Sequence, residues 1–212
     1  MIVGLTGLGL RFNKVANGAH MGRRNRRSRP RAGVASDERV TGRDRQVKAV
    51  RYYGRKDIRV ETVKEPKDFG PDQLLVKPLW TGICGTDLHE YIAGPIVTSV
   101  KPHTFTAATL PQILGHEFSA EVIDVGKDVA HLKRGDRISV QPLVMPMNDY
   151  YSRRGLNHLS ERAGCIGLSW AWGGMSELAV INDYNAAKVP PSISDEEAAM
   201  IEPAASKPAA RC

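Results

Sequence analysis

From Val47 onward the sequence keeps one texture: short runs that alternate apolar and polar side chains, each closed within a few residues by Gly, Pro or Asp. Side chains alternate across a strand, so this cadence predicts short strands joined by tight turns. Strands are predicted at Lys48–Tyr53, Ile58–Val63, Gln73–Thr81, Phe118–Val125, Ile138–Pro142 and Met175–Ile181. The turns between them include Gly54-Arg55-Lys56-Asp57, Gly70-Pro71-Asp72, Gly126-Lys127-Asp128 and Gly173-Gly174. Long helical patterns are scarce, which favours a mainly β fold with short helices, a partly open β-barrel. Tyr150–Glu161 is polar and irregular and reads as a surface loop. Ser194 is a good N-cap for a helix running through Glu196, Glu197 and Met200, and that helix leads into Ile201-Glu202-Pro203.

The chain has 212 residues and a formal charge of +7, which by itself would suggest a nucleic acid or membrane surface as partner. The charge is not spread evenly. Residues 1–46 hold 11 Lys/Arg against 3 Asp/Glu, a net +8, whereas residues 47–212 hold 19 against 20, a net −1. The basicity belongs to an N-terminal extension, 1–46, expected to be disordered because its Gly22–Arg31 stretch lacks aromatic and branched apolar residues. Nucleic-acid binding through this arm is an unfavoured reading. A cytoplasmic location is expected, with an Arg-rich mitochondrial leader as the alternative. Three cysteines, Cys84, Cys165 and Cys212, do not form a disulfide framework. No apolar run approaches the ~20 residues that cross a bilayer, so no membrane partner is expected. The Gly4-x-x-Gly7-x-Gly9 run has the wrong spacing and context for a dinucleotide-binding turn.

Two clusters carry chemistry. Gly82-Ile83-Cys84-Gly85-Thr86-Asp87-Leu88-His89-Glu90 places a thiol, a hydroxyl, a carboxylate and an imidazole within six residues. Gly115-His116-Glu117 follows about thirty residues later. Together they offer the sulfur, nitrogen and oxygen donors of a catalytic zinc with an open position. Each residue also has a plainer reading: a lone Cys is usually a small buried apolar group, and a lone His is usually hydrogen-bonded core. The conjunction is what carries the metal reading.

These residues resemble the zinc-containing medium-chain alcohol dehydrogenases, closest to the butanediol and sorbitol dehydrogenase branch. The resemblance covers Lys48 to Ala205. It rests on Lys48–Gly54, the Gly82–Tyr91 segment, Leu114-Gly115-His116-Glu117-Phe118-Ser119, Val125-Gly126, Gly135–Ile138, Gly173–Glu177 and Ile201-Glu202-Pro203. The family signature has Gly three residues after the Glu, where this chain has Ala120. The resemblance implies a GroES-like domain over 47–205, with 206–212 as a divergent tail. It implies one catalytic Zn2+ held by Cys84 and His116, with Glu117 and Glu202 at the metal. Neighbours on an extended strand face opposite ways, so Glu117 reaches the ion only if the backbone bends there; otherwise it stands behind the ligands. Asp87 would accept the free N–H of His116, or alternatively cap the turn after Cys84. Thr86 and His89 would relay a proton from the bound alcohol through the cofactor ribose to solvent. His89 could equally be an exposed residue at a helix start. Cys165 reads as a packed residue, and His103, His131 and His158 receive no role.

Two features of the family are expected to be missing. A structural zinc held by C-x2-C-x2-C-x7-C would fall on Pro146, Asp149, Ser152 and Ser160, none a thiolate, so none is expected. A Rossmann domain with its Gly-rich turn is also expected to be absent, so NAD(P) is implied by the family without its binding domain. The resulting expectation is the zinc-binding catalytic domain of an NAD(P)-dependent alcohol or polyol dehydrogenase. It would act on a small-molecule secondary alcohol or vicinal diol and be inactive alone. The alternative is a non-enzymatic barrel module that assembles with itself, as a homo-oligomer, or with another chain.

Overall fold

The structure is a computed structural model and describes residues 2–6, 9–13 and 45–206. In chain order the strands begin with β1 (Ile2–Thr6), β2 (Gly9–Asn13), β3 (Gln46–Gly54), β4 (Asp57–Lys64) and β5 (Gln73–Gly82). Helix α1 (Gly85–Ala93) follows, then β6 (Gln112–Ile113), β7 (Phe118–Val125), β8 (Arg137–Val140) and β9 (Leu143–Val144). After two single-turn 3-10 segments come β10 (Gly164–Cys165), β11 (Ala179–Asn182), β12 (Ala186–Lys188), α2 (Asp195–Ala199) and α3 (Ile201–Ala205). The main sheet runs β12-β8-β7-β5-β1-β2, with β11 also paired to β5. Every named pair is antiparallel. A smaller sheet, β4-β3-β6, and the β9–β10 pair complete the architecture. The mainly β, curled-sheet class expected from the sequence holds.

The core lies on one face of the main sheet. Alternation on β5 and β7 turns Leu74, Val76, Phe118, Ala120 and Val122 inward against Ile138, Val140, Ile166, Ala179 and Ile181. Tyr52, Leu114 and Leu168 form a second cluster. Pro78 sits within β5, and the register with β7 shifts between Pro78 and Trp80. Proline cannot donate to the ladder, and a bulge re-aims the residues beyond it. Burial moves from the even positions Leu74 and Val76 to Thr81. The end of β5 is thereby turned inward just before Cys84.

Disorder is the expectation for residues 1–46, and β1 and β2 depart from it. β1 pairs with the end of β5, Ile2 opposite Gly82 and Gly4 opposite Trp80. β11 covers β5 only from Gln73 to Val76, which leaves ladder positions open further along, and strand-favouring Ile2 and Val3 fill them. The Arg-rich stretch Gly22–Arg31 and the tail after Ser206 lie outside the described residues. The capped helix begins as expected: Glu197 N–H donates to Ser194 Oγ, and Glu197 Oε2 accepts from Ser194 N–H, a reciprocal capping box.

Phe118 is wholly buried, and its ring lies where a Cβ on Gly174 would sit, 2.6 Å away. Phe118→Ala is expected to cost roughly 3–5 kcal/mol. Urea denaturation followed by fluorescence checks this, and a loss below about 1 kcal/mol would show that the core is not centred there.

Candidate metal centre

Cys84 is held by the helix it precedes. It is the N-cap of α1 in extended conformation, and its N–H donates to Asp87 Oδ2 at 3.0 Å. The cap fixes where the helix starts and hence where the thiol sits. Its Sγ lies 3.7 Å from Thr86 Oγ1.

His116 and Glu117 come from the opposite side, between β6 and β7. Gly115 takes φ +97°, and a Cβ there would stand 2.8 Å from Met175 N and 2.9 Å from Thr81 Cγ2. A side chain is excluded on both counts, and glycine lets the backbone turn. The turn removes the extended-strand objection to Glu117. One ligand atom each from Cys84, His116 and Glu117 lies within 4.8 Å of the others. His116 and Glu117 are buried, and Cys84 is half-buried. Among the described residues this is the one group of three potential ligands so arranged.

Asp87 fills one of the two roles open to it in the sequence, the cap on Cys84, and faces His116 without bonding it. Oδ2 caps Cys84, while Oδ1 lies 3.6 Å from His116 Nδ1, just beyond hydrogen-bond length. Both of these atoms are buried without a hydrogen-bond partner. Glu202, on α3, is not among the three clustered ligands, yet its carboxyl is influenced by His116 and Glu117. His89 is exposed on α1, three residues after Thr86 and so on a shared helical face.

The electrostatics of the cluster favour a positive charge among its donors. Burial first, and then the Glu117 carboxylate, raise the Cys84 thiol, against hydrogen bonds with Thr86 that lower it. Burial raises the Asp87 carboxyl, opposed by His116 and the Cys84 N–H. Burial also raises Glu202, with His116 opposing and Glu117 adding to it. A borderline-soft divalent cation matches this S, N, O donor set and favours the ionised thiol and carboxylate. The residues fit a zinc ion.

Two residues, Gly82 and Glu90, were not assigned from the sequence. Gly82 donates its N–H to Glu117 C=O at 2.6 Å, and a Cβ on it would stand 2.4 Å from Glu117 Oε2. Only a paired-strand register could have revealed that contact. Glu90 is fully buried and accepts the N–H groups of Ile96 (3.1 Å), Val97 (2.5 Å) and Thr98 (3.2 Å). Its three-residue spacing from Asp87 was the available signal. Cys165 packs against the Tyr52 cluster. Its thiol is pushed up to about 12, by burial first and then by Glu202, Asp87 and Cys84, as its packed reading in the sequence implies.

The family of alcohol dehydrogenase GroES-like domains matches residues 70–191. The chain belongs to this family, the zinc-containing medium-chain alcohol dehydrogenases. It is 42% identical over 160 residues to the (R,R)-butanediol dehydrogenase of Bacillus subtilis, covering 75% of this chain and 45% of that one. The crystal structure of 2R,3R-butanediol dehydrogenase from Bacillus subtilis superposes with a TM-score of 0.69 at 41% identity, over 75% of this chain and 45% of that one. A zinc-binding dehydrogenase from Sinorhizobium meliloti, bound to NADP, gives 0.62 at 30% identity, over 74% and 42%. The chain thus spans less than half the length of these relatives.

Because Gly82 leaves room for the Glu117 carboxylate, Gly82→Ala is expected to weaken zinc binding roughly 10–100-fold, as lost support of a ligand does. In a Glu117→Ala background it should add almost nothing. Competition with a chelating dye measures both, and additive losses in the double variant would reject the contact as the cause.

Proposed function

We propose that the chain is the zinc-binding catalytic domain of an NAD(P)-dependent dehydrogenase that oxidises secondary alcohols or vicinal diols to ketones. The diols would be of the 2,3-butanediol or sorbitol kind. The observation that carries this reading is the convergence of Cys84, His116 and Glu117 within 4.8 Å. Its support from relatives is the 42% identity to a butanediol dehydrogenase.

Cys84, His116 and Glu117 would hold the ion, with Glu202 as a further nearby carboxylate. When bound, zinc would supply Lewis-acid stabilisation of the negative charge that develops on the substrate oxygen as the alcohol loses its proton. The remaining work falls to the chain's own residues. Asp87 faces Nδ1 of His116 and keeps its proton there, which leaves Nε2 free to bind. Thr86, whose hydroxyl lies beside Cys84, would accept the alcohol's proton as it gives up its own, and exposed His89 would stand at the solvent end of the relay and hand a proton to water. Hydride acceptance belongs to a nicotinamide that must be placed against the alcohol. We assign that placement to protein outside the matched region, because the chain spans 45% of the relative. The chain by itself is therefore proposed to be inactive or nearly so.

A second reading, a non-catalytic barrel module that assembles with itself or another chain, draws on the exposed apolar side chains Leu88, Ile92, Met200 and Ile201. Metal content separates the two. One zinc per chain is expected by elemental analysis, lost in Cys84→Ala, with no NAD+ or NADP+ reduction above background on 2,3-butanediol or sorbitol. Absence of zinc from the folded wild-type chain would sink the dehydrogenase reading, and robust turnover would refute inactivity.

A further inference from the structure

β9 and β10 pair at their bases, Val144 opposite Gly164, and the chain between them loops out as a lobe. From Met145 to Ala163 only Pro146 and Ser160 are buried, while Met147, Tyr150, Leu156 and Leu159 stand exposed. The lobe has almost no apolar core, yet its loop contains two 3-10 turns, Ser152–Arg154 and Asn157–Leu159. Something other than burial must hold its two halves together.

The Asp149 carboxylate does so. Oδ1 accepts the Ser152 N–H at 2.7 Å, and Oδ2 accepts the Ser160 hydroxyl from the far half of the lobe. The Ser152 hydroxyl donates to the Pro146 carbonyl. Ser160 Oγ is itself oriented, accepting the Arg162 N–H at 3.2 Å. Arg154 closes the near half, stacking 3.7 Å over the Tyr150 ring and donating to the Tyr150 carbonyl. The donors hold the Asp149 carboxyl down to about 2, the Ser160 hydroxyl most strongly, so the acceptor stays ionised.

We infer that Asp149 is a metal-independent latch that closes the 146–160 lobe by joining Pro146, Ser152 and Ser160 through one hydrogen-bond network. These four positions have the C-x2-C-x2-C-x7-C spacing of a four-thiolate site. The network ties together the same points that a tetrahedral ion would. Charge-assisted bonds to one carboxylate substitute for coordination.

Hydrogen exchange of the full chain, read by mass spectrometry, tests this. Asp149→Ala should speed exchange in peptides spanning 145–163 by about tenfold or more, with β5 and β7 unchanged. Ser160→Ala removes one donor and should give a smaller, local acceleration. Joint replacement of Pro146, Asp149, Ser152 and Ser160 by Cys should take up one additional Zn2+ and restore wild-type protection to the lobe. The inference is overturned if Asp149→Ala and Ser160→Ala leave the lobe as protected as wild type, or if the acceleration spreads equally to β5 and β7. It is overturned too if the four-cysteine variant folds but takes up no additional zinc.

Discussion

At Gly115 the backbone takes φ +97° and leaves strand geometry between β6 and β7. Two consecutive side chains, His116 and Glu117, can then face the same ligand atom on Cys84, which an extended strand forbids. The bend is itself pinned. Gly174 N–H donates to Gly115 C=O at 2.8 Å, Met175 N–H donates to Leu114 C=O at 2.9 Å, and Thr81 Oγ1 donates to Gly174 C=O at 2.7 Å. The segment around Gly174 thus fastens the end of β5 to the bend from beneath. Without that three-way contact the donors would belong to separate elements with no common focus.

Helix α1 shows how the site reverses ordinary patterning. Its buried residues are Asp87 and Glu90, while Leu88 and Ile92 are about half exposed. An amphipathic helix usually turns its apolar stripe inward. Here the inward face is spent on two carboxylates, one capping Cys84 beside His116, the other gathering the N–H groups of residues 96–98. Burying them is tolerable because each accepts backbone hydrogen bonds. The apolar residues left outside are a consequence of that choice.

This reversal explains what could and could not be read in advance. β7 coincides with its predicted span, Phe118–Val125, because alternation there serves one packed face. The run from Met175 also alternates, but only Ala179–Asn182 is strand in the main sheet. Met175 and Glu177 spend their backbone bonds on Val50, Leu114 and Lys48, bridging the two sheets instead. α1 was legible only as a helix start weighed at His89; its span and its buried face were not, because its cap is a cysteine and its periodicity points the wrong way. Cys84 and His116 stood out by residue type and context. Gly82 did not, since its contact with Glu117 depends on how β5 ends rather than on any local pattern.

The charges at the centre converge on one requirement. Cys84, Asp87 and Glu202 are all displaced toward their neutral forms, burial being the first cause in each case. Glu117 adds repulsion to each of the three, and His116 opposes it at Asp87 and Glu202. A fold that only needed to pack this region would gain by replacing such groups with apolar ones, since buried charges stabilise poorly even when paired. Their arrangement instead offers sulfur, nitrogen and oxygen toward one point, with the outer nitrogen of His116 backed by a carboxylate. A divalent cation at that point converts mutual repulsion into shared attraction and ionises the thiol. The same five side chains, Cys84, Asp87, His116, Glu117 and Glu202, therefore set both the cost of gathering these groups and the attraction for a cation.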